Sequence, residues 1–212
     1  MTGFFNDPIQ FLFFAASFLV AITVHEYAHA WLSDRLGDPT AKLMGRLTLN
    51  PFKHLDLMGT LLILLAGIGW AKPVVIDPFN LRNPKRDTAY ISFAGPVANI
   101  LTAVGFSLVY AILTRYLVYS PVSTIVMLFI LLTIRMNVSL AVFNLIPIHP
   151  LDGYSVVGGF LSGEKAQQWQ ELRRYGILFL LLLVFPFGRG PAPITLITTP
   201  ITTFILSILL PV

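Results

Sequence analysis

The chain has 212 residues, 56% of them apolar and 11% charged, with a mean hydropathy of +0.78. Soluble domains carry about 25% charged residues, so a water-soluble monomer and a disordered chain are both excluded, and a multi-spanning membrane protein is expected. With no cysteine there are no disulfides, thiolate metal sites or cysteine nucleophiles, and a net charge of +4 is what basic cytoplasmic loops give a membrane protein without any nucleic-acid partner.

The first residues lack the basic n-region of a signal peptide, so the uncharged stretch from 8 to 24 is read as the start of a spanning helix. Residues His25 to Leu32 continue it to crossing length. The next uncharged stretch, 57 to 71, covers about 22 Å even if fully helical, too short for a bilayer core of roughly 30 Å. It is expected to dip in and return. Charge agrees: the flanking stretches, with Arg35, Lys42, Arg46 and Lys53 before it and Lys72, Arg82, Lys85 and Arg86 after it, can both be cytoplasmic only if it does not cross. The run from 88 to 114 then leads outward. A helix from about 121 to 147 returns, interrupted by Arg135, which is expected to make a helix contact. The loop with Lys165, Arg173 and Arg174 is again inside. Residues 172–212, broken by Pro186, Gly188, Gly190, Pro191 and Pro193, read as a hairpin of two weaker spans. Trp31, Trp70 and Trp169 sit where interface anchors belong, and His54 reads as an interfacial structural residue.

Within the first helix, His25-Glu26-Tyr27-Ala28-His29 places two imidazoles one turn apart on one face, the HExxH zinc pattern. Three ionisable groups in an apolar helix need a compensating partner, and a divalent cation satisfies all of them. A catalytic zinc takes three protein ligands and keeps a fourth position open. The candidate third ligand is Asp152, in Asn144-Leu145-Ile146-Pro147-Ile148-His149-Pro150-Leu151-Asp152-Gly153, which the charge pattern puts on the same side of the membrane as His25 and His29. His149, Glu164 and Glu171 are rivals. Gly95-Pro96-Val97-Ala98-Asn99 allows close helix packing or, alternatively, lets Asn99 position substrate or its oxyanion; Asn137 reads as an interhelical hydrogen bond.

HEYAH followed by NLIPIHPLDG resembles the site-2 protease family of intramembrane zinc metalloproteases (peptidase M50), whose motifs are HExxH and NxxPxPxLDG. Gly37-Asp38-Pro39-Thr40-Ala41, Gly45-Arg46-Leu47-Thr48-Leu49-Asn50-Pro51 and Gly69-Trp70-Ala71-Lys72-Pro73 resemble the short branch without an appended PDZ or CBS domain. The resemblance implies that His25, His29 and Asp152 bind one zinc per chain, that Glu26 is the general base, and that Asn144 is a substrate-binding amide. Gly95 and Pro147 are accessory candidates. One departure stands out: His149 occupies the second proline position, which leaves three roles open to it, packing, gating the site or approaching the metal. The β-prone stretch from Gly69 to Ile76 matches a re-entrant element that holds extended substrate in the family.

The expected architecture is an all-α polytopic membrane protein with about five transmembrane helices, a re-entrant segment and a small β element. It forms one domain over 1–212, with a catalytic core at about 8–155 and a C-terminal helical hairpin at about 172–212. The expected activity is zinc-dependent hydrolysis of peptide bonds within or near transmembrane segments of protein substrates, in the cell membrane, at a site near its cytoplasmic side. The lipid bilayer is the medium, and an oligomer is left open. Competing readings are an ion-coupled transporter or channel, against which no paired half-length repeats are found, and a zinc-binding relative that does not cut.

Overall fold

The computed structural model describes residues 8–66, 69–116, 120–186 and 190–210. Its first helix, α1 (Pro8–Leu36), is apolar over most of its length and stops where Gly37 takes φ of 111°, a left-handed turn that glycine enters without strain. A short helix α2 (Thr40–Leu43) and a 3-10 turn at Pro51–Lys53 follow. Helix α3 (Leu57–Ala66) has ten residues, about 15 Å of rise, or half a crossing. The chain then runs extended to a second 3-10 turn at Pro78–Asn80.

Two long helices come next: α4 (Pro84–Tyr116) and α5 (Pro121–Asn144). Ser120 and Ser123 cap α5 reciprocally, each side chain bonding the other's backbone N–H. Beyond α5 lie α6 (Asp152–Phe160), α7 (Gly163–Leu172), α8 (Gly176–Val184) and α9 (Pro193–Leu209). Among the described residues, three helices are long and apolar enough to cross a membrane: Ile9–Leu36, Pro84–Tyr116 and Pro121–Asn144. The C-terminal pair is shorter, at nine residues for α8 and 17 for α9.

Helices α1, α4 and α5 pack against one another, α6 lies on α4, and α9 lies on α5. The apolar core between α4 and α5 contains Ala103, Ile130, Ile134, Val138 and Val142, with Ile205 and Leu209 of α9 against it. Small residues set the close approaches. Gly159 of α6 abuts the Ala89 side chain of α4, and Gly153 abuts the Leu145 carbonyl, so the Asp152 turn tucks under the end of α5. Among the described residues there is no sheet. The expected β element amounts to one antiparallel bridge, Leu55 to Ala71, with an extended run onward to Ile76. Arg135 is exposed on α5 and makes no hydrogen bond or ion pair among the described residues.

Candidate metal centre

His25 and His29 project from consecutive turns of α1 toward α4, their rings 4.5 Å apart at 89°. Gly95 makes this fit possible, because a Cβ there would come within 2.6 Å of the His29 ring and 2.7 Å of the His25 ring. Each ring is held by its far nitrogen. His25 Nδ1 donates to Asn99 Oδ1 (2.7 Å), and His29 Nδ1 donates to the Ile91 carbonyl (2.7 Å). A carbonyl can only accept, and the Asn99 amide spends its hydrogens on the Ala21 carbonyl (2.8 Å) and Asn137 Oδ1 (2.9 Å). Both Nδ1 atoms therefore carry the proton, and both Nε2 atoms present lone pairs.

Those lone pairs converge on Asp152, the first residue of α6. Its Oδ2 lies 3.0 Å from His25 Nε2 and 3.4 Å from His29 Nε2, and it is buried without a hydrogen-bond donor. With both rings neutral, these are three acceptors facing one another, which repel unless a cation joins them. Zinc bonds of about 2.0 to 2.2 Å in tetrahedral geometry separate ligand atoms by roughly 3.3 Å, which matches this spacing. Among the described residues, these three form the group able to hold a metal ion, with ligand atoms within 4.8 Å of one another. His25 and His29 are buried and Asp152 is partly accessible.

Glu26, between the two histidines, is also buried, and its Oε2 accepts the backbone N–H of Val74 (3.0 Å). That amide belongs to the extended run between α3 and α4, which Arg46 holds in place. The buried Arg46 guanidinium donates to the carbonyls of Lys53, Lys72 and Pro73, the last at 3.1 Å. Lys72 N–H donates to the His54 carbonyl (2.9 Å), while the buried His54 ring bonds the Thr48 carbonyl. The backbones of Val75 and Ile76 have no hydrogen bonds among the described residues. The sequence marked Arg46 only as a loop charge. Nothing in composition distinguishes it from its neighbours, and only its place in a glycine-proline motif hinted otherwise.

A second clasp joins the ends of α1 and α4. Asp38, fully buried, accepts from Ser33 Oγ, Thr40 N and Oγ1, Asp77 N and Asn80 Nδ2. Burial raises its pKa, but these hydrogen bonds outweigh burial and bring the carboxyl down to about 2.

The other singled-out residues add no ligand atom to the cluster. Asn144 ends α5 half-buried, its amide hydrogen-bonded back to the Leu140 carbonyl (3.1 Å). His149 faces away: Arg173 Nε donates to its Nε2 (3.3 Å), and its ring meets Tyr154 edge-on at 5.6 Å. Tyr154 in turn stacks on Trp169, and each donates to the other's carbonyl. Pro147 lines a cavity of about 170 Å³ beside this group. Glu164 accepts from Gln168 on an exposed turn of α7, and neither it nor Glu171 joins the acceptor cluster. His149 therefore packs. Asn99 has its whole amide engaged within the protein, with no donor spare for a substrate.

An apolar His-Glu-x-x-His helix meeting an aspartate from a distant turn is the pattern of a metallopeptidase site, and similarity agrees. Peptidase family M50 matches residues 13–184, and the chain belongs to that family. It is 38% identical over 192 residues to "Putative zinc metalloprotease YwhC" of Bacillus subtilis (strain 168), covering 89% of this chain and 88% of that protein. It is 30% identical over 179 residues to "Putative zinc metalloprotease Rip2" of Mycolicibacterium smegmatis, covering 82% of this chain and 67% of the relative. The Rip2 protein of Mycobacterium tuberculosis (strain H37Rv) is 28% identical over the same length, at 82% and 66%. No solved structure matches.

Proposed function

We propose that this chain is an intramembrane zinc metalloprotease that hydrolyses peptide bonds within or near transmembrane segments of other membrane proteins. The observation that carries this reading is the convergence of two Nε2 lone pairs and one carboxylate oxygen, each imidazole fixed from behind, with Glu26 beside them. His25, His29 and Asp152 hold one zinc. When bound, zinc acidifies water and polarises a peptide carbonyl.

The protein's own groups do the rest. Glu26 takes the proton of the attacking water and passes it to the leaving amide nitrogen, a role that a carboxylate oriented by the Val74 N–H can perform without searching for its geometry. The Asn144 amide turns from the Leu140 carbonyl to the developing oxyanion. A helical substrate hides its peptide bonds in its own hydrogen bonds, so it must unwind first. The unpaired backbone of Val75 and Ile76, one residue beyond the group that orients Glu26, offers an edge for the unwound segment to join as a strand.

The reading extends to a multi-pass protein of the cell membrane with about five spans, α8 and α9 forming the C-terminal pair, and with its site near the cytoplasmic side. The basic residues Arg35, Lys42, Arg46, Lys53, Lys72, Arg82, Lys85 and Arg86 all lie between the end of α1 and the first turn of α4, which is the end of the bundle nearest His29, and this supports that orientation.

The test uses the full chain in detergent with single-span protein substrates, measuring zinc per chain and cleavage together. Near-stoichiometric zinc, cleavage abolished by a chelator, and a loss of about 10²-fold or more in Glu26→Gln with zinc retained are the expected results. Cleavage that persists in Glu26→Gln would remove the assigned base. Liposomes that pass ions without touching any peptide would replace the reading with a transporter.

A further inference from the structure

The lipid-facing side of α1 and α4 carries a groove of about 670 Å³, on the faces of these helices turned away from the His25 and His29 rings. Its walls are apolar and open: Trp31 is 43% exposed, Phe93 45%, Val97 37% and Leu101 65%. Any such groove in a bilayer fills with acyl chains. What sets this one apart is its end.

The two helices run antiparallel, so the last turns of α1 lie beside the first turns of α4. Trp31 and Tyr90 both line the groove at that end. One turn beyond Trp31, Arg35 places its guanidinium over the indole at 5.4 Å. One turn before Tyr90, Arg86 does the same over the phenol at 5.1 Å, and its Nε donates to Tyr90 Oη (2.7 Å). Both arginines are exposed, and neither meets a carboxylate among the described residues. Each keeps most of its five N–H donors for something else. Two aromatic-braced guanidiniums at the mouth of an apolar slot, in the most basic part of the chain, are complementary to one group attached to two chains.

We propose that the α1–α4 groove is a binding site for an anionic phospholipid, with its acyl chains along Phe93, Val97 and Leu101 and its phosphate against Arg35 and Arg86. Charge selects the occupant. A zwitterionic lipid offers the same chains, but its own cation competes for the phosphate, and the acidic residues in the long spans of a second copy are already taken: Glu26 and Asp87 are buried, and Asp34 pairs with Lys42. The lipid would bridge the end of α1 to the start of α4 across the helix pair that holds the two histidines. This site does not depend on hydrolysis by the protein.

The experiment is native mass spectrometry of the full chain in detergent, titrated with dioleoyl phosphatidylglycerol and dioleoyl phosphatidylcholine. The expected result is one retained phosphatidylglycerol at a preference of roughly tenfold, falling to parity in Arg35→Gln/Arg86→Gln and partly kept in Arg35→Lys/Arg86→Lys. Brominated phosphatidylglycerol should quench tryptophan emission in the chain and do so less in Trp31→Phe. Equal retention of the two lipids, a preference intact in the glutamine pair, or quenching indifferent to Trp31 would each overturn the proposal. Displacement of the retained lipid by a single-span peptide would give the groove to a protein helix and overturn it as well.

Discussion

Two clusters in this molecule are built around histidine and differ in what they leave unpaired. Around His149, a guanidinium donates to ring Nε2, and Tyr154 and Trp169 exchange hydrogen bonds while stacking, which leaves over only the ring's buried Nδ1, a donor in the neutral ring. Around Asp152, every group that points inward is an acceptor. What the first cluster leaves over is a donor, which cannot bind a cation; what the second leaves over are acceptors, which can. The presence of an imidazole does not separate them. The direction of each hydrogen bond does.

The comparison is sharpened most by cutting the link behind His25. Asn99→Ala leaves the His25 Nδ1 proton, the Ala21 carbonyl and Asn137 without their partner, and zinc affinity should fall about 10- to 100-fold, as read by competition with a chromogenic chelator. An unchanged affinity would mean that the ring is oriented by something else. Gly95→Ala acts on the same two rings by contact. A Cβ at 2.6 Å forces α1 and α4 apart, and the variant should lose about 1 to 3 kcal/mol of stability in chemical denaturation along with metal affinity.

The clasp at Asp38 responds to acid instead. Its carboxyl titrates lower in the folded chain than in the unfolded one, so its stabilisation is fully present above about pH 4 and is lost as pH falls toward 2. Asp38→Asn should flatten that part of the pH–stability profile, removing about 2 kcal/mol at neutral pH. The smallest effect is expected at the other histidine. Burial, aided by the Arg173 charge, lowers the His149 pKa and keeps the ring neutral, so His149→Gln should change zinc per chain by less than the error of the assay and stability by about 1 kcal/mol. Loss of metal in this variant would erase the distinction between the two clusters.

Several features were legible because they are local or periodic. Spacing of four within an apolar helix put His25 and His29 on one face, and the charge pattern put Asp152 at their depth without any contact information. The shortness of the second uncharged stretch, 57 to 71, was legible from length alone, and α3 within it has ten residues. Other features were not. Gly95 read as helix packing, although the bodies it makes room for are imidazoles from 66 and 70 positions earlier. Asn99 read as a substrate contact because an amide in a membrane helix looks unpartnered until the Ala21 carbonyl and Asn137 are brought to it. Arg46 read as one positive charge among eight, yet it fixes the run that delivers the Val74 amide to Glu26.

Composition, hydrophobic run length and the His-Glu-x-x-His spacing determined by themselves that this chain has helices apolar enough for a membrane and one helix with two imidazoles on a single face, because each is a property of one segment in one solvent. Only the tertiary structure decided which nitrogen of each ring is free, which acid completes the set and which histidine is a bystander. Those outcomes depend on pairs separated by more than 60 residues in the chain, whose proximity and hydrogen-bond direction no single segment encodes.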